Sequence, residues 1–147
     1  MFPLNGSRFV NTRQSRFVRR RGVAAVEFAI IAPLLILLLA GMVVWGGWLW
    51  LAHGVQSLAA ESARAALGGL DAGERSDLAR MFVQGRAEAA IGLPADRAAV
   101  FVDSDASAIV VRIRYDVSGH PVLLLASLAP APPMIIERSA VVRTGGY

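Results

Sequence analysis

The sequence contains no cysteine and no lysine among its 147 residues. The absence of cysteine excludes disulfide bonds and thiolate metal sites, so a folded domain must depend on burial or association for its stability. The absence of lysine excludes a phosphate-binding loop of the Walker type. Histidine is also scarce, and His53 and His120 lie too far apart in sequence to predict a metal site.

The remaining polar residues form no pattern typical of catalysis. Serines are common, but none stands in a strand-turn-helix glycine elbow or beside a histidine and an aspartate in a recognisable arrangement. The sequence therefore predicts a protein that is not an enzyme and that needs no cofactor or metal.

Acidic residues are absent from positions 1–21, which carry six of the fifteen arginines. Beyond Gly22, nine arginines face eleven carboxylates, so that part has a formal charge of −2. Arginines that precede a membrane-spanning run stay on the cytoplasmic side. The basic charge thus predicts topology, set by Arg19, Arg20 and Arg21, and it does not indicate nucleic-acid binding.

A long run without an ionisable side chain occupies positions 28–52. A helix of this length, at about 1.5 Å per residue, is long enough to cross a hydrocarbon core about 30 Å thick. We therefore predict a transmembrane helix over residues 23–52 that contacts the lipid bilayer. Trp45, Trp48 and Trp50 mark its far end, either as an interfacial belt or by packing on the following domain.

Glu27 is a carboxylate at the start of this run. An acid at membrane depth costs a few kcal/mol and usually marks a function or a partner. If the bond after Gly22 is cut, Val23 acquires a positive amine that Glu27 of a neighbouring chain can neutralise. The alternative is a carboxylate that reaches the cytoplasmic interface without a partner. Pro33 lies inside the same helix, where a neighbour must satisfy the freed carbonyl.

Residues 1–22 are polar and arginine-rich, and we predict a disordered cytoplasmic leader that is cleaved. The following apolar run is too long for a secretory signal, and no small-residue cleavage site closes it.

The region after the membrane run predicts an α+β domain over residues 53–147. We expect a helical stem at 53–67 ending at Gly68-Gly69, a helix at 72–91 capped by Asp71 or Ser76, and a small antiparallel sheet. Its strands are expected at 99–103, 108–117 and 134–143. In the second strand, alternation places Ile109, Val111, Ile113 and Tyr115 on one face. The apolar run 122–128 is of ambiguous type.

The N-terminal region resembles the TadE-like family of minor pilins, or pseudopilins, of the tight-adherence (Flp, type IVb) pilus assembly system. The resemblance rests on residues 19–29 (RRRGVAAVEFA), Pro33-Leu34-Leu35 and residues 59–66 (AAESARAA). Beyond position 67 it extends only to a short strand-rich domain. The related TadF and TadG-like proteins remain alternatives.

The resemblance implies cleavage between Gly22 and Val23 by a prepilin peptidase, a membrane aspartic protease. It also implies insertion in the bacterial inner membrane with a periplasmic C-terminal domain, and assembly with other Tad pilins and inner-membrane pilus proteins for adhesion and biofilm formation. By position, Gly22 is the cleavage residue, Glu27 serves processing or subunit packing, and Phe28 is its aromatic neighbour. Val23 departs from the Phe or Met common at the first mature position of other type IV pilins, so methylation of its amine stays open.

A second hypothesis is an unprocessed inner-membrane anchor that presents a small periplasmic binding module. The first hypothesis predicts a mature chain without the leader that ends at Gly22, whereas the second predicts a full-length protein.

Overall fold

Helix α1 begins at Gln14 and ends at Ala66. A computed structural model describes residues 14–144, with side chains described from Gly22 onward. The helix begins earlier than the sequence predicts, so the prediction of a disordered leader is wrong for residues 14–21. Extending a helix by two turns is easier than nucleating one, and arginine and glutamine have good helix propensity. The rest of the predicted leader, positions 1–13, lies outside the described part of the chain.

The chain divides into two compact units, Met1–Leu38 and Leu39–Tyr147. In its described part, the first unit consists of α1 alone. Its large apolar side chains point to all sides of the helix, and those of Val23, Phe28 and Leu34 are each more than half exposed. Within residues 22–38, this unit therefore has no core of its own.

The second unit contains the rest of α1 and helix α2, which spans Ala72–Ile91. The Asp71 carboxylate accepts a hydrogen bond from the Glu74 amide at 2.8 Å and so caps the start of α2. The helix ends at Gly92, whose backbone is left-handed with φ at 74°. Only glycine adopts this conformation routinely, which explains why the helix stops there.

Three antiparallel strands form the sheet in the order β1-β2-β3: β1 spans Ala98–Ser104, β2 spans Ala108–Asp116 and β3 spans Ile135–Arg143. The central strand alternates as expected, with Ile109 and Tyr115 among the fully buried residues and Arg112 exposed. The predicted α+β fold class, with a long N-terminal apolar helix, a second helix and a three-stranded antiparallel sheet, is confirmed.

The core lies between one face of the sheet and the two helices. Its fully buried members include Val44, Leu51, Val55, Ala59 and Ala63 of α1, Ala79, Ala87 and Ile91 of α2, and Ile109, Val111, Ile113 and Tyr115 of β2. Small residues on both helices allow close approach, while the branched residues of β2 fill the layer below.

Tyr115 ties the central strand to the segment after α2. Its hydroxyl donates to the Leu93 carbonyl at 2.8 Å and lies 3.0 Å from the Pro94 carbonyl. The side chain is fully buried, and this burial raises the pKa of Tyr115 to about 12. The neutral hydroxyl is therefore part of the folded structure.

Residues 121–134, here named the apolar connection, join β2 to β3. They begin with a 3₁₀ helix at Pro121–Ser127. Pro130, Pro132 and Pro133 follow, and a segment this rich in proline cannot continue as a helix or pair as a central strand. The run at 122–128, whose type the sequence leaves ambiguous, is thus mainly a 3₁₀ helix.

Candidate processing and packing site

The predicted processing residues lie together within two turns of α1. Gly22, Val23, Glu27 and Phe28 are all exposed, with Val23 57% and Phe28 70% accessible. A β-carbon built on Gly22 meets no other atom within 4 Å. The backbone at Gly22 is therefore accessible, and a small side chain there would disturb nothing in the folded protein.

Glu27 lies one turn after Val23 on the same face of the helix, because residues four apart are neighbours on a helix surface. Within residues 22–144, the structure records no side-chain hydrogen bond and no ion pair for Glu27. Its carboxylate thus projects from the exposed apolar surface of the first unit. At that position it can meet a positive group of another molecule.

Pro33 is exposed in the same stretch, and α1 is continuous through it. Proline has no N–H group, so the Ala29 carbonyl receives no helical hydrogen bond from position 33. In a hydrocarbon environment such a carbonyl needs a partner from a neighbouring helix, a side chain or an ordered water. Because of Pro33, the exposed helix surface carries an unpaired Ala29 carbonyl that a packing partner can bind.

Arg19, Arg20 and Arg21 belong to the helical backbone, but their side chains lie outside the described part. Their role in topology stays a prediction.

The apolar part of α1 is long and apolar enough to cross a membrane. Only 11% of its most apolar 18-residue window is buried in the protein, so it differs from the core helix of a soluble domain. This helix is consistent with a single-pass membrane protein.

The tryptophans at the end of this run hold the apolar connection. Trp45 donates its indole N–H to the Pro130 carbonyl at 3.1 Å, and Trp48 donates to the Pro133 carbonyl at 2.8 Å. The two indole rings pack edge to face at 6.0 Å. Packing on the domain is therefore confirmed for Trp45 and Trp48, while Trp50 remains 57% exposed.

The packing of the apolar connection against α1 was not predicted from the sequence. The connection packs against α1 at Gly47, where a β-carbon would collide with the Val122 side chain. Local patterns cannot reveal a contact between residues this far apart in the chain. One signal was available, because positions 121–136 contain no ionisable residue.

Both histidines contact backbone rather than each other. His53 Nδ1 lies 3.0 Å from the Leu49 carbonyl, and His120 Nδ1 accepts from the Val122 amide at 3.2 Å. These contacts are typical of helix-surface and turn positions.

A family model described as TadE-like protein matches residues 22–64. The match begins at the glycine of the predicted junction and includes Glu27, Phe28 and Pro33, and it confirms the resemblance stated from the sequence. It covers less than a third of the chain. No curated protein and no solved structure matches the sequence.

Proposed function

We propose that the chain is a minor pilin, or pseudopilin, which a prepilin peptidase cuts between Gly22 and Val23 and which helps to assemble a tight-adherence (Flp, type IVb) pilus. Such pili serve adhesion and biofilm formation. The observation that carries the proposal is the Gly22 to Phe28 junction, which opens an exposed apolar helix at the residue where the TadE-like match begins. The proposed partners are the peptidase, other Tad pilins and the inner-membrane assembly proteins.

The proposed cleavage is the hydrolysis of one amide. Water adds across the Gly22–Val23 bond, which leaves a carboxylate on Gly22 and a protonated amine on Val23. The bond lies inside α1, so a protease must first unwind it locally. Glycine lowers that barrier, because it is about 1 kcal/mol less favourable than alanine in a helix.

Cleavage changes the charge at the head of the helix. The new amine of Val23 adds a positive charge to the N-terminal end of the helix dipole, and Glu27 supplies the only carboxylate within residues 22–60. In an apolar environment an uncompensated charge is costly, whereas a paired charge is much less so. We expect Glu27 of one chain to pair with Val23 of a neighbour and thereby set the axial position of adjacent helices.

The exposed side chains around Glu27 fit this arrangement. Val26, Phe28 and Ile30 present apolar surface that neighbouring helices or lipid must cover. Pro33 leaves one carbonyl for a neighbour to satisfy. The proposed location is the bacterial inner membrane, with the arginine-rich leader in the cytoplasm and the C-terminal domain in the periplasm.

The test is pilus assembly by a strain whose own copy of the gene is deleted and replaced by a variant. We expect Glu27→Ala to abolish or strongly reduce surface pili counted by electron microscopy, because the amine of Val23 loses its partner. The matched control is Glu61→Ala, which removes an exposed carboxylate from the same helix outside the junction. Normal pili in the Glu27→Ala strain would refute the role assigned to this carboxylate.

A further inference from the structure

The apolar connection exposes large hydrophobic side chains. Leu124 is 77% accessible, Leu128 50% and Leu125 39%. They belong to the uninterrupted stretch 121–136, which has no ionisable group. A cluster of this kind on an otherwise charged domain usually marks a surface that another apolar phase or molecule covers.

The connection lies along the last turns of the apolar run of α1. Val122 contacts Gly47, and the carbonyls of Pro130 and Pro133 accept from the indoles of Trp45 and Trp48. All of these contacts lie within the second unit. They place the connection beside residues 45–48 of α1.

These residues fall where a membrane span would end. A span takes about 20 residues, so one that starts at Phe28 ends near Gly47. On the rest of its surface, α1 exposes Met42, Leu49 and Trp50 at the same level. Within the second unit, the exposed leucines of the connection therefore lie beside the exposed apolar residues 42–50 of α1, at the level where the span would end.

Several backbone groups of the connection need no hydrogen bond from water. Its four prolines have no N–H groups to satisfy. The indoles of Trp45 and Trp48 satisfy two proline carbonyls, and the amides of Val122 and Leu123 donate to His120. Backbone groups near hydrocarbon need such internal partners.

We propose that the apolar connection is a second membrane contact, in which Leu124, Leu125 and Leu128 insert at the boundary between headgroups and acyl chains on the C-terminal side of the span. Lipid is the occupant because this surface lies beside the exposed apolar residues 42–50 of α1 and lacks charges. Because residues 40–66 of α1 already belong to the domain core, this contact adds a second point that fixes the depth and tilt of the domain at the membrane surface. This inference rests on the membrane insertion in the proposed function.

The cysteine-free sequence permits a direct test with single-cysteine variants of the full chain. Leu124→Cys reports on the connection. Leu70→Cys is the matched control, because Leu70 is 91% exposed but follows the end of α1, about 30 Å along the helix from Gly47. Leu35→Cys, at an exposed position of the span, reports on membrane insertion itself.

Each variant carries a fluorescent label and is placed at one chain per nanodisc of phosphatidylethanolamine and phosphatidylglycerol. Quenching by spin-labelled lipids and by aqueous iodide is then measured. We expect iodide to quench the label at position 124 several-fold less than the label at position 70, and we expect lipid quenching at positions 124 and 35 only.

Equal iodide quenching at positions 124 and 70, together with lipid quenching at position 35, would overturn this inference and leave membrane insertion intact. Absence of lipid quenching at position 35 would overturn both. If shielding at position 124 appears only when several chains share one nanodisc, the surface contacts protein rather than lipid and the inference is wrong.

Discussion

The two parts of helix α1 have the same secondary structure but different surroundings. Within residues 22–39 every side chain is exposed except that of half-buried Ala32, although nearly all are apolar. Within residues 40–66 a stripe is buried completely, including Val44, Leu51 and Val55. The first part carries large apolar residues on all sides, whereas the second buries many alanines on one side. Both parts are helical, so helix formation does not decide their surroundings. The distribution of apolar residues around the helix decides whether a protein core, lipid or another helix covers it.

The two parts of α1 differ in what must cover their apolar surface. A single helix with exposed Leu, Ile and Phe on every side cannot persist in water, so lipid or neighbouring helices must cover the first part. The second part needs no such cover on its buried face, because α2 and the sheet supply it.

The largest expected effect is on the stability of the domain, and it comes from leucine-to-alanine substitutions in the two parts of α1. Leu51→Ala empties a fully buried site in the second part and should lower the free energy of unfolding of the domain by about 2–5 kcal/mol. Leu35→Ala, at a half-exposed site in the first part, should leave domain stability unchanged. Thermal unfolding of the full chain in detergent, followed by circular dichroism, measures both. Equal losses would show that the two parts have similar surroundings.

A smaller effect is expected where the apolar connection contacts α1. Gly47→Ala places a methyl group against Val122 and should destabilise the domain by about 1–3 kcal/mol. Gly46→Ala meets no atom within 4 Å and should be neutral or stabilise by about 0.5–1 kcal/mol. The same unfolding assay compares the two variants. Equal stability of both would contradict close packing of Val122 on Gly47.

Tyr115→Phe should lower the stability of the domain by about 1–2 kcal/mol, because the Leu93 carbonyl loses its donor. The wild-type protein should also lose stability as the pH rises from 10 to about 12. An unfolded tyrosine ionises near pH 10, whereas burial raises the pKa of Tyr115 to about 12, so the contribution is complete below pH 10. Denaturant unfolding across this range measures the slope. A slope of equal size in Tyr115→Phe would show that another group causes it.

The smallest effect on stability is expected at the junction. Gly22→Ala meets no neighbouring atom and should change domain stability by less than about 0.5 kcal/mol. It should nevertheless slow maturation, so that precursor accumulates on immunoblots of membranes. Gly46→Ala, the same change in the same helix, should mature normally. Normal maturation of Gly22→Ala would remove the reason to assign cleavage to this glycine.

Much of the fold could be predicted because its signals are local. The alternation of β2, the cap at Asp71 and the glycine at position 92 each act on their own element. The start of α1 at Gln14 was missed, since a polar segment without a cap signal gives no indication that it extends a neighbouring helix. The apolar connection was missed because a short apolar run does not reveal its structure, and its contacts with Gly47, Trp45 and Trp48 are made across the fold.

The sequence places Gly22, Glu27 and Phe28 close together in one helix, as the structure has them, while their role as a junction stays a prediction. The chemistry at that junction depends on molecules outside the chain, namely a protease and neighbouring subunits. No pattern within one sequence contains those contacts, and the exposed surface around Glu27 indicates only that something covers it.

The most direct measurement is the intact mass of the chain extracted from bacterial membranes, together with N-terminal sequencing. We expect a mature protein that begins at Val23 and has lost the whole leader up to and including Gly22. A membrane form that retains its arginine-rich leader would contradict cleavage after Gly22 and would favour an unprocessed anchor that carries a small binding module.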